Sequence, residues 1–190
     1  MSRHFAALTY TPSVRASQRR YGGRELGEVP ENAVAEFSRR ECEFIAARDS
    51  FYLATVSETG WPHVQHRGGP AGFLRVLDAT TLAFADFSGN RQYVSVGNLA
   101  QNDRVALILM HYPKQRRLKI LGHVEVIDLA AVEAELLAKM QPLGREVERI
   151  LRLRLAAFDW NCSRHITPRF TASECQSHCS SPTETSMTKE

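Results

Sequence analysis

The chain has 190 residues, 43% of them hydrophobic and 24% charged, the make-up of one folded domain with enough apolar material for a core. Its net charge of +3 is only mildly basic, and Lys and Arg are spread along the chain rather than blocked, so composition leaves no nucleic-acid footprint. No apolar run approaches the roughly 18 residues of a spanning helix. The first ten residues lack the apolar centre of a signal peptide, which predicts a cytoplasmic protein with Cys42, Cys162, Cys175 and Cys179 reduced.

In chain order, residues 1–30 are polar and punctuated by Gly22-Gly23, and read as an extended N-terminal arm. From Glu31, the spacing of Ala33, Val34, Phe37, Phe44 and Ile45 predicts an amphipathic helix ending near Arg48 or Asp49. Phe51–Val56 is a strand by its aromatic and β-branched content, Glu58-Thr59-Gly60 a hairpin turn, and Pro62–His66 the return strand. Strands follow at Phe73–Leu77 and Leu82–Ala85, then a short helix within 91–101. Val105–Met110 and the long Arg117–Ile127 complete six strands, with Gly122 marking a bulge or a close backbone approach. Leu129–Met140 and Arg145–Phe158 are predicted helices, and the Ser/Thr-rich residues 171–190 a disordered tail. Six strands with flanking helices predict an α+β fold, a six-stranded antiparallel split β-barrel occupying residues 31–170.

Two polar inserts interrupt the strands, Gln65-His66-Arg67-Gly68-Gly69-Pro70 and Asp86-Phe87-Ser88-Gly89-Asn90-Arg91-Gln92. A phosphate ester is bound by guanidinium forks and by free backbone N–H groups, best at a helix start. Ser88-Gly89-Asn90-Arg91 stands at such a point: Ser and Asn are capping residues, Gly permits close backbone approach, and Arg adds charge. Arg67, followed by Gly68, offers a second cation, and Lys119 a third, on the same strand face as Arg117. Either insert alone reads more readily as an ordinary cap or glycine turn; it is their occurrence together, with a third basic segment, that points to a ligand.

The order of these pieces resembles the pyridoxamine 5′-phosphate oxidase-like family of FMN-binding split barrels. Ala54-Thr55-Val56-Ser57-Glu58-Thr59-Gly60-Trp61-Pro62 is similar to that family's first hairpin, and the segment Phe84–Gln92 to its phosphate-binding turn. Asn102-Asp103-Arg104-Val105-Ala106-Leu107 and Lys119-Ile120-Leu121-Gly122-His123-Val124 are similar to two of its later strands. The resemblance implies a homodimer holding FMN in a groove between subunits, with a small-molecule substrate or electron donor and neither membrane nor nucleic acid as partner. It makes Arg67, Gly68, Ser88, Gly89, Asn90, Arg91, Gln92 and Lys119 the expected cofactor contacts, with no catalytic acid or base assigned.

In the oxidases a C-terminal Trp and an R-x-H-x-R run reach flavin and substrate. Trp160, His165 and Arg169 stand here in that order with different spacing, which implies flavin contacts but not a vitamin B6 substrate. Trp160 as a core anchor is an equal reading. A non-catalytic flavin or haem binder is the alternative function. Zinc at Cys162/His165 or Cys175/His178/Cys179 is weighed and set aside, because the second cluster has no scaffold.

Overall fold

A period-two alternation of apolar and polar residues puts every second side chain of a strand on one face. In the computed structural model, which describes residues 2–23, 35–141, 147–160 and 164–179, that alternation builds a single antiparallel sheet. In chain order the elements are α1 (Arg3–Thr9), α2 (Pro12–Arg20), α3 (Arg39–Ala46), β1 (Ser50–Val56), β2 (Pro62–Gly68), β3 (Arg75–Val76) and β4 (Thr81–Phe87). Then come α4 (Val94–Gln101), β5 (Arg104–His111), β6 (Arg116–Asp128), α5 (Ala134–Met140), β7 (Val147–Trp160) and α6 (Ala172–Cys179). The seven strands run in the order β2-β1-β5-β6-β7-β4-β3, curled around one core and not closed by hydrogen bonds.

The sheet has one strand more than the six expected, because the segment predicted as helix 145–158 is the strand β7. Leu151, Leu153 and Leu155 alternate with Arg152 and Arg154, a period of two rather than 3.6. The strand pairs with β6 from Arg149 to Trp160 and with β4 from Val147 to Arg154, so its first half satisfies both rows of backbone groups. A register shift at Leu121/Gly122 leaves Ala156 as an extra residue and changes the phase of β7. Leu151, Leu153 and Leu155 before it, and Phe158 and Trp160 after it, therefore all reach the same core cluster. The bulge expected at Gly122 is present, and a Cβ there would lie 2.5 Å from the Arg154 carbonyl oxygen.

The inner face carries Phe51, Leu53, Leu82, Phe84, Leu107, Leu109, Leu118 and Ile120, all buried. Helix α3 closes one end of this core. It starts at Arg39 rather than near Glu31, because Ser38 and Glu41 form a capping box. The Ser38 N–H donates to the Glu41 carboxylate at 3.0 Å, and the Arg40 N–H to Ser38 Oγ at 3.2 Å. Residues 31–34, the start of that predicted helix, and 24–30, the end of the predicted arm, lie outside the described residues. Helix α5 packs a second, smaller cluster of Leu136 and Met140 against Ala83, Val147 and Ile150.

Over its described residues 2–23 the N-terminal arm is helical rather than extended. Ser2 caps α1, its Oγ accepting from the Phe5 N–H at 3.3 Å, and Phe5 and Ala6 are buried where α1 packs on β7. Thr11 and Pro12 then open α2, a cap followed by proline at the first helical position. Part of the predicted disordered tail is helical as well. In α6 the Thr171 N–H donates to Glu174 Oε2 at 2.8 Å, and residues 180–190 lie outside the described residues. Among the described residues, no helix is long and apolar enough to cross a membrane.

Candidate functional site

Strand β2 is one edge of the sheet, and its alternation turns His63, Gln65 and Arg67 to the core side, opposite Thr55, Leu53 and Phe51 of β1. Among the described residues, no strand pairs with the far side of β2. These three residues therefore line an opening of about 280 Å³. Its other walls are Asp86 and Phe87 of β4, the turn Gly89–Tyr93, the first residues of α4, and Arg149 of β7.

Asp86 is the centre of its electrostatics, only 4% exposed. Its carboxylate accepts from Arg67 Nη1 through Oδ1 and from Arg149 Nη1 at 2.8 Å through Oδ2. Arg149 Nη2 also donates to Glu148 Oε2 at 2.6 Å, and the Tyr93 hydroxyl donates to Glu148 Oε1 at 3.2 Å. Burial opposes the charge on Arg149, but the hydrogen bond and charge of Asp86 and the charge of Glu148 outweigh it and raise its pKa. Arg67, Arg91 and Arg149 against Asp86 and Glu148 leave one net positive charge. The Arg67 Nε is a buried donor with no hydrogen-bond partner among the described residues.

Helix α4 ends on this opening. Its N-cap residue Tyr93 adopts a left-handed conformation (φ 50°), as does Arg91 (φ 58°), and no side chain caps the helix. The expectation that Ser88 and Asn90 cap it is thus corrected: the helix starts at Val94, and Asn90 Oδ1 instead accepts from the Gln92 N–H at 3.2 Å within the turn. Among the described residues no side chain takes up the first-turn N–H groups of α4, an arrangement chemically suited to an anion. Two bonds fix the helix to the strands: Ser95 Oγ to Gln65 Oε1 at 2.9 Å, and buried Asn98 Nδ2 to Thr55 Oγ1 at 2.9 Å.

Of the sequence-predicted contacts, the fold gathers Arg67, Gly89, Asn90, Arg91 and Gln92 around this opening. Gly68 ends β2 beside the Asp49 carbonyl, and Ser88 lies in the same turn but is not a wall of the opening. The remaining four are elsewhere. Lys119 lies on the outer sheet face, its Nζ 3.8 Å from Asp159 and 4.2 Å from the centre of the Phe5 ring. Burial lowers its pKa, partly countered by Asp159.

Trp160 is a core anchor. Its Nε1 donates to Glu41 Oε1 at 2.5 Å, Phe44 meets it edge-on, and the Arg40 and Arg116 guanidiniums lie 4.5 and 4.9 Å from its ring centre. His165 has a positive φ of 64°, and Arg169 lies over the Tyr112 ring at 5.3 Å. Gln115 Nε2 donates to the Ile166 carbonyl at 2.6 Å, so this C-terminal segment packs on the β5–β6 turn.

Sequence reasoning missed His63, Asp86, Tyr93 and Arg149 as walls of the opening. Arg149 was hidden by the helical reading of β7, whereas His63 was visible two residues before Gln65 on the same face. Among the described residues, no three His, Cys, Asp or Glu side chains are placed to share a metal ion, and Cys162 lies outside them.

Residues 39–158 match the family model described as pyridoxamine 5′-phosphate oxidase. A pyridoxamine 5′-phosphate oxidase candidate from Lactobacillus delbrueckii has the same fold, with a TM-score of 0.52 and 19% identity over 68% of this chain and 97% of that one. The HupZ protein of Group A Streptococcus is similar at a TM-score of 0.53 and 12% identity, over 70% of this chain and 99% of its own. At these identities the likeness concerns fold alone. No curated protein matches the chain.

Proposed function

The chain belongs to the pyridoxamine 5′-phosphate oxidase family, and on that premise we propose that it is an FMN-binding flavoprotein, an FMN-dependent oxidoreductase acting on a small molecule. The observation that carries the reading is the buried, unpartnered Nε of Arg67 beside the uncapped start of α4. A desolvated guanidinium donor without a partner is costly unless an acceptor fills the site. A phosphate ester supplies that acceptor and suits the α4 N–H groups and Arg91 as well. Gln65, whose amide sits on the same strand face, is placed to orient the rest of the ligand.

Bound flavin would supply hydride and electron transfer; the protein's part is to hold, orient and desolvate it. Arg67 and Arg91 would hold the phosphate end. Arg149, held in place by Asp86 and Glu148, would add its charge to the positive potential of the opening. A vitamin B6 substrate is not part of the reading, because the segment that would recognise it has different spacing and packs on the β5–β6 turn of its own protomer.

The same reading includes a homodimer. Tyr52, Ala54 and Val56 of β1 are paired with His66, Val64 and Pro62 of β2 and, through Ala54 and Tyr52, with Ala106 and Ile108 of β5, forming one outward sheet face. Tyr52 is 39% and Val64 61% exposed on it, an apolar patch suited to a second copy, which would carry Lys119 and the C-terminal segment of one protomer toward the other. The free thiols of Cys42 and Cys175 are in keeping with a cytoplasmic setting.

The test is the absorption spectrum of the purified protein and the mass of what denaturation releases. Flavin bands with one FMN per chain are expected, and bleaching by NAD(P)H separates an enzyme from a non-catalytic binder. Release of F420 or haem, or a colourless protein that takes up no FMN, overturns the reading.

A further inference from the structure

Asp86 and Glu148 occupy the guanidiniums that the proposed ligand needs. Asp86 is buried between Arg67 and Arg149, and Glu148 holds the second Nη of Arg149 from a side chain 23% exposed. A carboxylate in that position does two opposing things. It keeps the guanidiniums in the opening when no ligand is present, which like charges so close would otherwise resist. It also reduces the potential that an incoming anion meets, leaving one positive charge where three arginines alone would give three.

We propose that Asp86 and Glu148 form a resident counter-ion that tempers the hold of the opening on anions, lowering affinity in proportion to ligand charge, so that a phosphate-bearing ligand is bound reversibly while an uncharged one is unaffected. The proposal rests on the phosphate-binding reading above, but not on the ligand being a flavin. Asp86 and Glu148 are positioning residues, acting through Arg67 and Arg149. With the carboxylates neutralised, binding tightens in proportion to ligand charge. A merely structural role would weaken all ligands together.

The experiment strips the full-length protein of bound ligand and titrates wild type, Asp86→Asn and Glu148→Gln with FMN, riboflavin and inorganic phosphate. Flavin fluorescence reports the first two ligands, and the rise in melting temperature reports phosphate. Asp86→Asn is expected to bind FMN about tenfold more tightly, with a steeper salt dependence, while its affinity for uncharged riboflavin is unchanged. Glu148→Gln, nearer solvent, should change FMN affinity in the same direction by about threefold, and it decides the matter if Asp86→Asn does not fold. Inorganic phosphate should stabilise both variants more than wild type.

Weaker FMN binding in the variants, or riboflavin affinity changing in parallel, overturns the proposal. If phosphate shows the expected differences while no flavin binds to any protein, the counter-ion stands and the flavin reading falls. If neither phosphate nor FMN binds to any of the three, both fall.

Discussion

Arg67 and Asp86 join the two sides of the barrel where no pair of strands does. Arg67 is on the edge strand β2, and Asp86 is on β4, second from the opposite edge of the same sheet. Their ion pair spans the split, and Arg149 secures Asp86 from the neighbouring strand β7. The residue expected to bind a ligand is therefore also one that holds the barrel shut.

That double role separates two arginines by experiment. Arg67→Ala should lower stability by roughly 1–3 kcal/mol, because Asp86 stays buried with one donor fewer. It should also weaken FMN binding at least tenfold. Arg91 is exposed in the turn, so Arg91→Ala should leave stability within about 0.5 kcal/mol and still weaken FMN. Urea denaturation alongside a flavin titration reads both quantities; equal loss of stability in the two variants would contradict the assignment.

Two glycines make a second contrast. At Gly122 a Cβ would meet the Arg154 carbonyl at 2.5 Å and Leu153 at 2.8 Å, and at Gly97 in α4 it would meet nothing within 4 Å. Gly122→Ala should cost several kcal/mol, about 3, by forcing the bulge apart. Gly97→Ala should be neutral or stabilising by about 0.5–1 kcal/mol through helix propensity. Thermal melts of the two variants test the pair.

Acidification should be felt at the other end of the core. Burial pushes the Glu41 carboxyl up, but hydrogen bonds from Ser38 and Trp160 outweigh it and hold its pKa below the ordinary value. The folded pKa is the lower one, so this stabilisation is present above the unfolded pKa and is lost as pH falls through the folded value. Glu41→Gln should therefore flatten the acid limb of stability against pH, below about pH 4.5. Trp160→Phe should cost about 1–3 kcal/mol at neutral pH by removing one donor from a buried carboxylate. An unchanged acid limb in Glu41→Gln would refute the linkage.

The proposed dimer face gives a fourth outcome. Val64 is 61% exposed in the protomer, so Val64→Glu should alter its intrinsic stability by no more than about 0.5 kcal/mol. Opposed across a two-fold axis, the new charges should shift sedimentation from dimer to monomer. A wild-type protein that sediments as a monomer would contradict the dimer.

Much of the sheet was legible because β1 and β6 alternate, β4 and β5 are short apolar runs, β2 follows a glycine turn, and turn residues separate them. The bulge at Gly122 was legible for the same reason, a glycine inside an alternating strand. β7 was not, because Val147, Ile150 and Leu151 fit a helical spacing as well as a strand. Pairing on both sides decided for the strand. The N-terminal helices were missed because α2 buries no residue, and α1 is defined by its docking on β7 rather than by amphipathicity.

At the candidate site, the turn 88–92 and Arg67 were visible as charge and glycine in polar inserts. Asp86 and Arg149 become partners only through the β4–β7 register. That pairing is long-range, and local pattern contains no trace of it. Trp160 illustrates the converse: order along the chain suggested a flavin contact, while Glu41, far away in sequence, accepts its indole N–H.

The length of β7 has a consequence for how a ligand comes and goes. Paired with β6 from Arg149 to Trp160 and with β4 as far as Arg154, its first half should have the slowest-exchanging amides of the sheet, opening only with global unfolding. Arg149 is fixed to that slow unit, and Asp86 to its neighbour. The turn 88–93 has no such ladder, so it belongs to the fast-exchanging part of the molecule. Exchange of a bound ligand should then follow the local opening of this turn, on a timescale set by a few backbone bonds and independent of the stability of the barrel behind it.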